Sequence, residues 1–382
     1  MAPHYAVAMA RDLTIPSHLL PQDGRFGSGP SRVRDAQLQA LMAAQPGVLG
    51  TSHRQAPVKD VVGAIREGLA QFYSLPDGYE VILGNGGASS FWDAAAFSLV
   101  ESRAQHCAFG EFGSKFAAVT ASAPFLEPSE IRTAEPGEVA VPEAHEGIDV
   151  YAWPHNETST GAMAPVQRPA GAGDALTVID GTSAAGGLAL DATQADVYYF
   201  SPQKSFGSDG GLWFALVSPA AIERIERIAG SGRWIPPTLD LATALENSRQ
   251  NQTLNTPAVA TLVMMNAQIE WLNDNGGMSF ATGRTSESAR RVYRWADGSP
   301  YAETFVTSHS NRSSVVATVD LRHPLDSVEI RSILKANGVV DIDPYRKLGR
   351  NQIRVGMFPA VDPDDVSALT GCIDWIVERL VT

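Results

Sequence analysis

From about residue 57 to 230 of this 382-residue chain, short apolar runs alternate with helical apolar stripes. Val58, Val61, Val62, Ile65, Leu69 and Phe72 recur on one helix face, and Pro57 suits that helix's first turn. Glu80-Val81-Ile82-Leu83 reads as a strand that enters Gly84-Asn85-Gly86-Gly87-Ala88-Ser89-Ser90 and then a helix over 91–100. Residues 150–153, Leu176–Asp180 and Val197–Phe200 have the length and β-type composition of buried strands. Residues 210–218 predict another strand. Ser218 caps the helix after it, Pro219 starts that helix, Ile222, Ile225 and Ile228 form its face, and Gly230 ends it. Strands alternating with amphipathic helices predict an α/β fold.

The pattern changes further on. A polar loop, Gln250 to Pro257, precedes a long helix over 258–272, and Gly276-Gly277 closes it. Residues 313–321 alternate like a half-exposed strand, and 328–336 read as a helix. The last helix starts at Asp362-Pro363-Asp364-Asp365 and carries Val366, Leu369, Ile373, Ile376 and Leu380. The glycine pair therefore predicts a boundary. A large unit spans 24–277, and a smaller α/β unit combines 1–23 with 278–382.

Composition narrows the function. The net charge of −13 argues against general nucleic-acid binding, which needs basic surface, so an anionic substrate must be drawn by a local basic cluster. Tyr345-Arg346-Lys347-Leu348-Gly349-Arg350-Asn351-Gln352-Ile353-Arg354 is the most basic stretch. Cys107 and Cys372 have no paired spacing, so neither a disulfide framework nor a cysteine-rich metal site is expected. No apolar run has the length of a membrane span, and residues 1–20 lack a signal-peptide core. These features predict a cytoplasmic protein.

Candidate chemistry gathers where predicted strands end. One run ends in Asp180, and another leads through Ser201-Pro202-Gln203 to Lys204. Alone, these residues fit a helix cap and a solvated turn equally well. Together they are the pair that pyridoxal 5′-phosphate chemistry needs: a lysine for the cofactor aldehyde and an acid for the pyridine nitrogen. The Gly86-Gly87 loop before a helix suits a small phosphate, because free N–H groups point outward there. Phe112, between glycines, is either a ring for stacking or core. Arg54, beside a helix start, is a candidate anion ligand.

Several segments in order resemble the phosphoserine aminotransferases, a class V family of fold-type I pyridoxal-phosphate enzymes. They are Phe26-Gly27-Ser28-Gly29-Pro30, Ser52-His53-Arg54, Gly86-Gly87-Ala88-Ser89, Asn156-Glu157-Thr158, Asp180, Gln203-Lys204, Asn255-Thr256-Pro257 and Arg354. The resemblance covers nearly the whole chain and is closest to the actinobacterial branch. It implies a mainly parallel seven-stranded sheet flanked by helices, a smaller C-terminal α/β domain, and a homodimer. It also implies roles. Lys204 holds the cofactor covalently and moves the substrate proton, and Asp180 faces the pyridine nitrogen. Phe112 stacks on the ring, and Thr158 bonds its phenolic oxygen. Ala88, Ser89 and Gln203 meet the phosphate, as do Asn255 and Thr256 from the partner subunit. Arg354 takes the substrate α-carboxylate. His53 and Arg54 take the phosphate or distal carboxylate, with Arg346, Lys347 and Arg350 as possible helpers. The implied reaction is transamination between L-glutamate and 3-phosphohydroxypyruvate, with a 4-phosphonooxy-threonine pair as a second substrate set. Two departures stand out: Phe112 replaces a common Trp, and the Tyr345–Arg354 stretch lacks a His-Arg-rich pattern. Competing readings are an alanine–glyoxylate-type aminotransferase, a cysteine desulfurase, for which neither cysteine is well placed, and a non-catalytic cofactor-binding protein.

Overall fold

The computed structural model describes residues 13–381; residues 1–12 of the expected small unit, and the start of the segment read for a signal peptide, lie outside that range. Helices α1 (Asp35–Ala44) and α2 (Ala56–Phe72) lead into strand β1 (Glu80–Asn85). Helix α3 (Ala88–Ser98), β2 (Ala104–Ala108), α4 (Glu111–Ser122), β3 (Glu130–Thr133) and β4 (Val150–Pro154) follow. A short hairpin, β5 (Asn156–Glu157) and β6 (Ala162–Met163), precedes β7 (Leu176–Asp180), β8 (Val197–Phe200) and β9 (Leu212–Val217). Helices α5 (Pro219–Ala229), α6 (Leu241–Arg249), α7 (Val259–Asp274) and α8 (Gly277–Gly298) come next. The chain ends with β10 (Ala302–Thr304), β11 (Val316–Leu321), α9 (Ser327–Ala336), β12 (Gln352–Gly356) and α10 (Pro363–Val381).

Seven strands form the main sheet in the order β1-β9-β8-β7-β4-β2-β3. Only β9 runs against its neighbours; β8, β7, β4, β2 and β3 are parallel to one another. The central strands read as continuous apolar runs because helices cover both faces. Alternate residues divide between two cores. Tyr151, Ile179, Tyr198 and Phe214 pack with α2 and α7, whereas Val150, Val178, Tyr199 and Ala215 pack with α3, α5 and α6. This is the expected mainly parallel, helix-flanked α/β fold.

A third core lies around β11, β12, α9 and α10, joined by Ile15, Phe26 and the second half of α8. The N-terminal segment enters here as an added strand-like stretch: Phe26 N donates to Val340 O (3.3 Å), and Gly356 N donates to Phe26 O (2.8 Å).

Two element boundaries differ from expectation. Helix α3 starts at Ala88 instead of 91, so Ala88 and Ser89 form its first turn. The glycine-flanked aromatic segment at Phe112 is the start of α4, with Gly110 as N-cap. No described helix is long and apolar enough to cross a membrane.

Candidate active site

Strands β7 and β8 lie side by side and parallel, so their carboxyl ends open on the same sheet edge. Ligands in open α/β sheets bind beyond such ends. Asp180 closes β7, and Lys204 follows the turn after β8; both are buried, 7% and 8% exposed. The turn is anchored from across the chain. Ser31 N donates to Gln203 O (2.8 Å), and the Ser31 hydroxyl donates to Lys204 O.

Lys204 Nζ donates to Ser28 O (2.6 Å) and to Thr158 Oγ1 (3.4 Å). Burial holds its ammonium down at about 7, helped by the positive charge of Arg354, while Asp180 and Glu157 oppose the shift. A substantial fraction of neutral, nucleophilic amine therefore exists near neutral pH. Gly29 is packed directly on this side chain. Its φ is +140°, and a Cβ there would lie 2.5 Å from Lys204 Nζ. Gly29→Ala should displace the amine and lower turnover on the order of a hundredfold. Steady-state kinetics check this, and wild-type rates in that variant would contradict the packing.

Asp180 Oδ1 accepts from Thr182 N (2.8 Å). Burial raises its carboxyl above the usual range, while hydrogen bonds from Thr182, Tyr199 and Trp92 pull it back. Tyr199 is its partner across the ladder and is itself held by Trp92 Nε1 (2.8 Å) and stacked on Phe91.

The glycine loop after β1 ends in Gly87, which caps α3 without a side-chain hydrogen bond. Ala88 and Ser89 thus begin a helix whose first N–H groups have no intrahelical acceptor. Ser201 Oγ and Gln203 Oε1 are buried without partners, and a Cβ on Gly87 would sit 3.7 Å from Ser201 Oγ. A helix start with unpaired polar side chains nearby fits a phosphate. The Phe112 ring centroid lies 5.9 Å from Lys204 Nζ and 6.3 Å from the Tyr345 ring. Arg354, on β12, donates through Nη1 to Thr158 O (3.1 Å), and its Nε is buried and unpaired. Burial lowers the Arg354 guanidinium, while Tyr345, Asp343 and Glu157 support its charge.

Lys204, Asp180, Thr158, Phe112, Gln203 and Arg354 therefore converge. His53, Arg54, Asn255 and Thr256 form a separate group on the same chain. Thr256 Oγ1 and His53 Nδ1 are 3.2 Å apart, Arg54 donates to Gln252 (2.9 Å), and Asn85 donates to Thr256 O (3.0 Å). Among the described residues, no hydrogen bond joins this group to Lys204, Asp180 or Arg354. Burial and then Arg54 lower the His53 imidazole, and its Nε2 has no partner. The basic stretch is partly spent: Lys347 pairs with Glu111 (2.5 Å) and Arg350 with Asp320 (2.5 Å). Arg346 is exposed and makes no ion pair among the described residues.

Four contributors escaped the sequence reading. Ser28 and Gly29 fall in a turn whose residues alone suggest only a loop. Tyr345 sits in a stretch read for its charges. Glu157 stands inside a quoted motif, and four donors converging on its carboxylate can be seen only in three dimensions.

A family model for class-V aminotransferases matches residues 29–341, which include Asp180, Lys204, Phe112 and Thr158 but not Ser28, Tyr345 or Arg354. The chain belongs to the class-V aminotransferases. A phosphoserine aminotransferase of Nocardioides sp. is 55% identical over 97% of this chain and 100% of its own. A protein of Mycolicibacterium vanbaalenii provisionally given the same name is 58% identical over 97% of this chain and 100% of its own. The solved phosphoserine aminotransferase of Cytophaga hutchinsonii superposes with a TM-score of 0.84 at 22% identity, covering 92% of this chain and 99% of that one. As a class-V aminotransferase the chain is a pyridoxal-phosphate enzyme. The buried Asp180 and Lys204 pair and the uncapped start of α3 fit that cofactor.

Proposed function

We propose that this aminotransferase exchanges an amino group between L-glutamate and 3-phosphohydroxypyruvate, giving 2-oxoglutarate and O-phospho-L-serine in L-serine biosynthesis. The relatives named phosphoserine aminotransferase, more than half identical along almost the whole chain, carry this reading. The bound cofactor supplies an electron sink for the bond broken at the substrate's Cα. Lys204 Nζ anchors it and then removes and returns the Cα proton. Asp180 faces the ring nitrogen, Phe112 the ring, and Thr158 the phenolic oxygen. Ala88, Ser89 and Gln203 take the phosphate. Arg354 binds the α-carboxylate with its planar fork, which orients the Cα–H bond.

The second group requires another subunit. In this reading the protein is a cytoplasmic homodimer, and Asn255, Thr256, His53 and Arg54 of one subunit complete the site of the other. Arg346, exposed and without an ion pair among the described residues, is available to an anionic substrate end. The unit 24–277 carries the cofactor, and the unit built from 1–23 and 278–382 brings Arg354 over it. The same phosphate recognition extends to a 4-phosphonooxy-threonine pair in pyridoxine biosynthesis.

A single half-reaction tests the substrate. O-phospho-L-serine should convert the cofactor's visible band to that of its amine form. Conversion by L-alanine but not by phosphoserine would favour an alanine–glyoxylate-type enzyme, and no conversion by any amino acid would leave a binding protein. Arg54→Ala should cost phosphoserine roughly a hundredfold more in kcat/KM than an unphosphorylated analogue, because a charge-assisted contact is lost. Equal losses for both would remove Arg54 from phosphate binding.

A further inference from the structure

Glu157 is fully enclosed, at 0% exposure, beside residues assigned to cofactor and substrate. Its Oε2 accepts from Phe112 N (3.0 Å) and Gly113 N (3.1 Å), and its Oε1 from Ser159 N (3.1 Å) and Ser159 Oγ (2.6 Å). The first two donors are free N–H groups at the start of α4. Gly110, the N-cap, has no side chain to satisfy them, and a Cβ there would lie 2.3 Å from Glu157 Cγ. A carboxylate from β5 therefore caps α4 from outside the helix, and glycine is needed for the approach. The next residue, Thr158, receives both Lys204 and Arg354.

We propose that Glu157 is a positioning residue: it fixes the helix start that carries Phe112 and supplies a buried negative charge shared by Lys204 and Arg354. All four of its contacts are donors, the arrangement that suits an ionised carboxylate. Burial pushes its carboxyl up, and Ser159, Gly113 and Phe112 pull it back. Charged groups facing the lysine are Arg354 from β12, Asp180 from β7 and Glu157 from β5. At the mouth of α4, Glu111 is taken up by Lys115 and Lys347. Asp180 and Glu157 thus support positive charge on the lysine nitrogen against Arg354.

This rests on Lys204 being the cofactor lysine, which the wild-type enzyme's pH-dependent visible band reports separately. In Glu157→Gln the shape is kept and the charge removed. A cation that loses a neighbouring anion becomes more acidic, so the band's pH midpoint should fall by about one unit. The variant should also show a lower kcat with little change in KM. A midpoint equal to wild type, even with a lowered melting temperature, would reduce Glu157 to a helix cap and overturn the proposal. If Glu157→Gln does not fold, Ser159→Ala weakens the same carboxylate. Its midpoint should move the same way by less, and an unmoved midpoint would be equally fatal.

Discussion

Lys204→Ala should abolish the cofactor-linked visible absorbance that borohydride reduction traps, and turnover should fall by at least about a thousandfold. In the proposed reaction one atom performs two tasks, anchoring the cofactor and moving the Cα proton, and nothing nearby replaces it. The other ionisable groups within its field are Arg354, Asp180 and Glu157; the first stays protonated and cannot accept a proton, and the carboxylates are already bonded elsewhere. The fold should survive. Burial depresses the lysine to about 7 from its ordinary 10.5, so the unfolded chain binds the extra proton between those values. Stability of the cofactor-free wild type therefore rises with pH across that window, and below it the buried ammonium costs most. Removing it should leave the cofactor-free variant at least as stable as wild type at pH 6 by thermal melting. A variant that folds and retains both band and turnover would sink the assignment.

Arg354→Ala should lower kcat/KM for amino-acid substrates by about a hundredfold or more, the cost of losing a charge-assisted pair in a desolvated site. Among the described residues the guanidinium donates to one carbonyl, Thr158 O, and lies 5.7 Å from the Tyr345 ring centroid, while its buried Nε has no partner. That leaves a donor edge for a carboxylate, and burial makes the contact strong. The discriminating measurement compares an amino acid with the amine lacking its α-carboxylate. Wild type should strongly prefer the amino acid, and Arg354→Ala should lose most of that preference. Arg354→Lys keeps the charge without the fork and should recover only part of it. Undiminished preference in the alanine variant would assign the carboxylate to another residue.

Much of the large sheet is legible in the chain because strands covered on both faces are written as unbroken apolar runs. Asp180 and the turn to Lys204 stand at the ends of two of them, so their neighbourhood follows from strand pairing. Other parts have no local signal. Helix α8 escaped because its buried face is Ala281, Thr285, Ser288, Ala289, Val292 and Ala296, small or polar side chains that leave little apolar period. The bond from Lys204 to Ser28 joins residues 176 apart in sequence, which no window along the chain can detect. Charge counting over the basic stretch was misleading for a physical reason: Lys347 and Arg350 are already neutralised by Glu111 and Asp320. The substrate itself came from family resemblance and close relatives. Two clusters of basic side chains on one chain would suit an anion at each end, and do not name it.

The pairing of Phe26 with Gly356 gives the lysine a mechanical tether. Arg354 and Gly356 share strand β12, Gly356 N holds Phe26 O, and two residues later Ser28 O accepts from Lys204 Nζ. One strand and one turn thus connect the arginine to the carbonyl that restrains the amine. Displacing β12 by an ångström would stretch that 2.6 Å contact beyond useful length. In the proposed reaction, a carboxylate bound at Arg354 that shifted β12 would loosen the leash on the nucleophile at the other end.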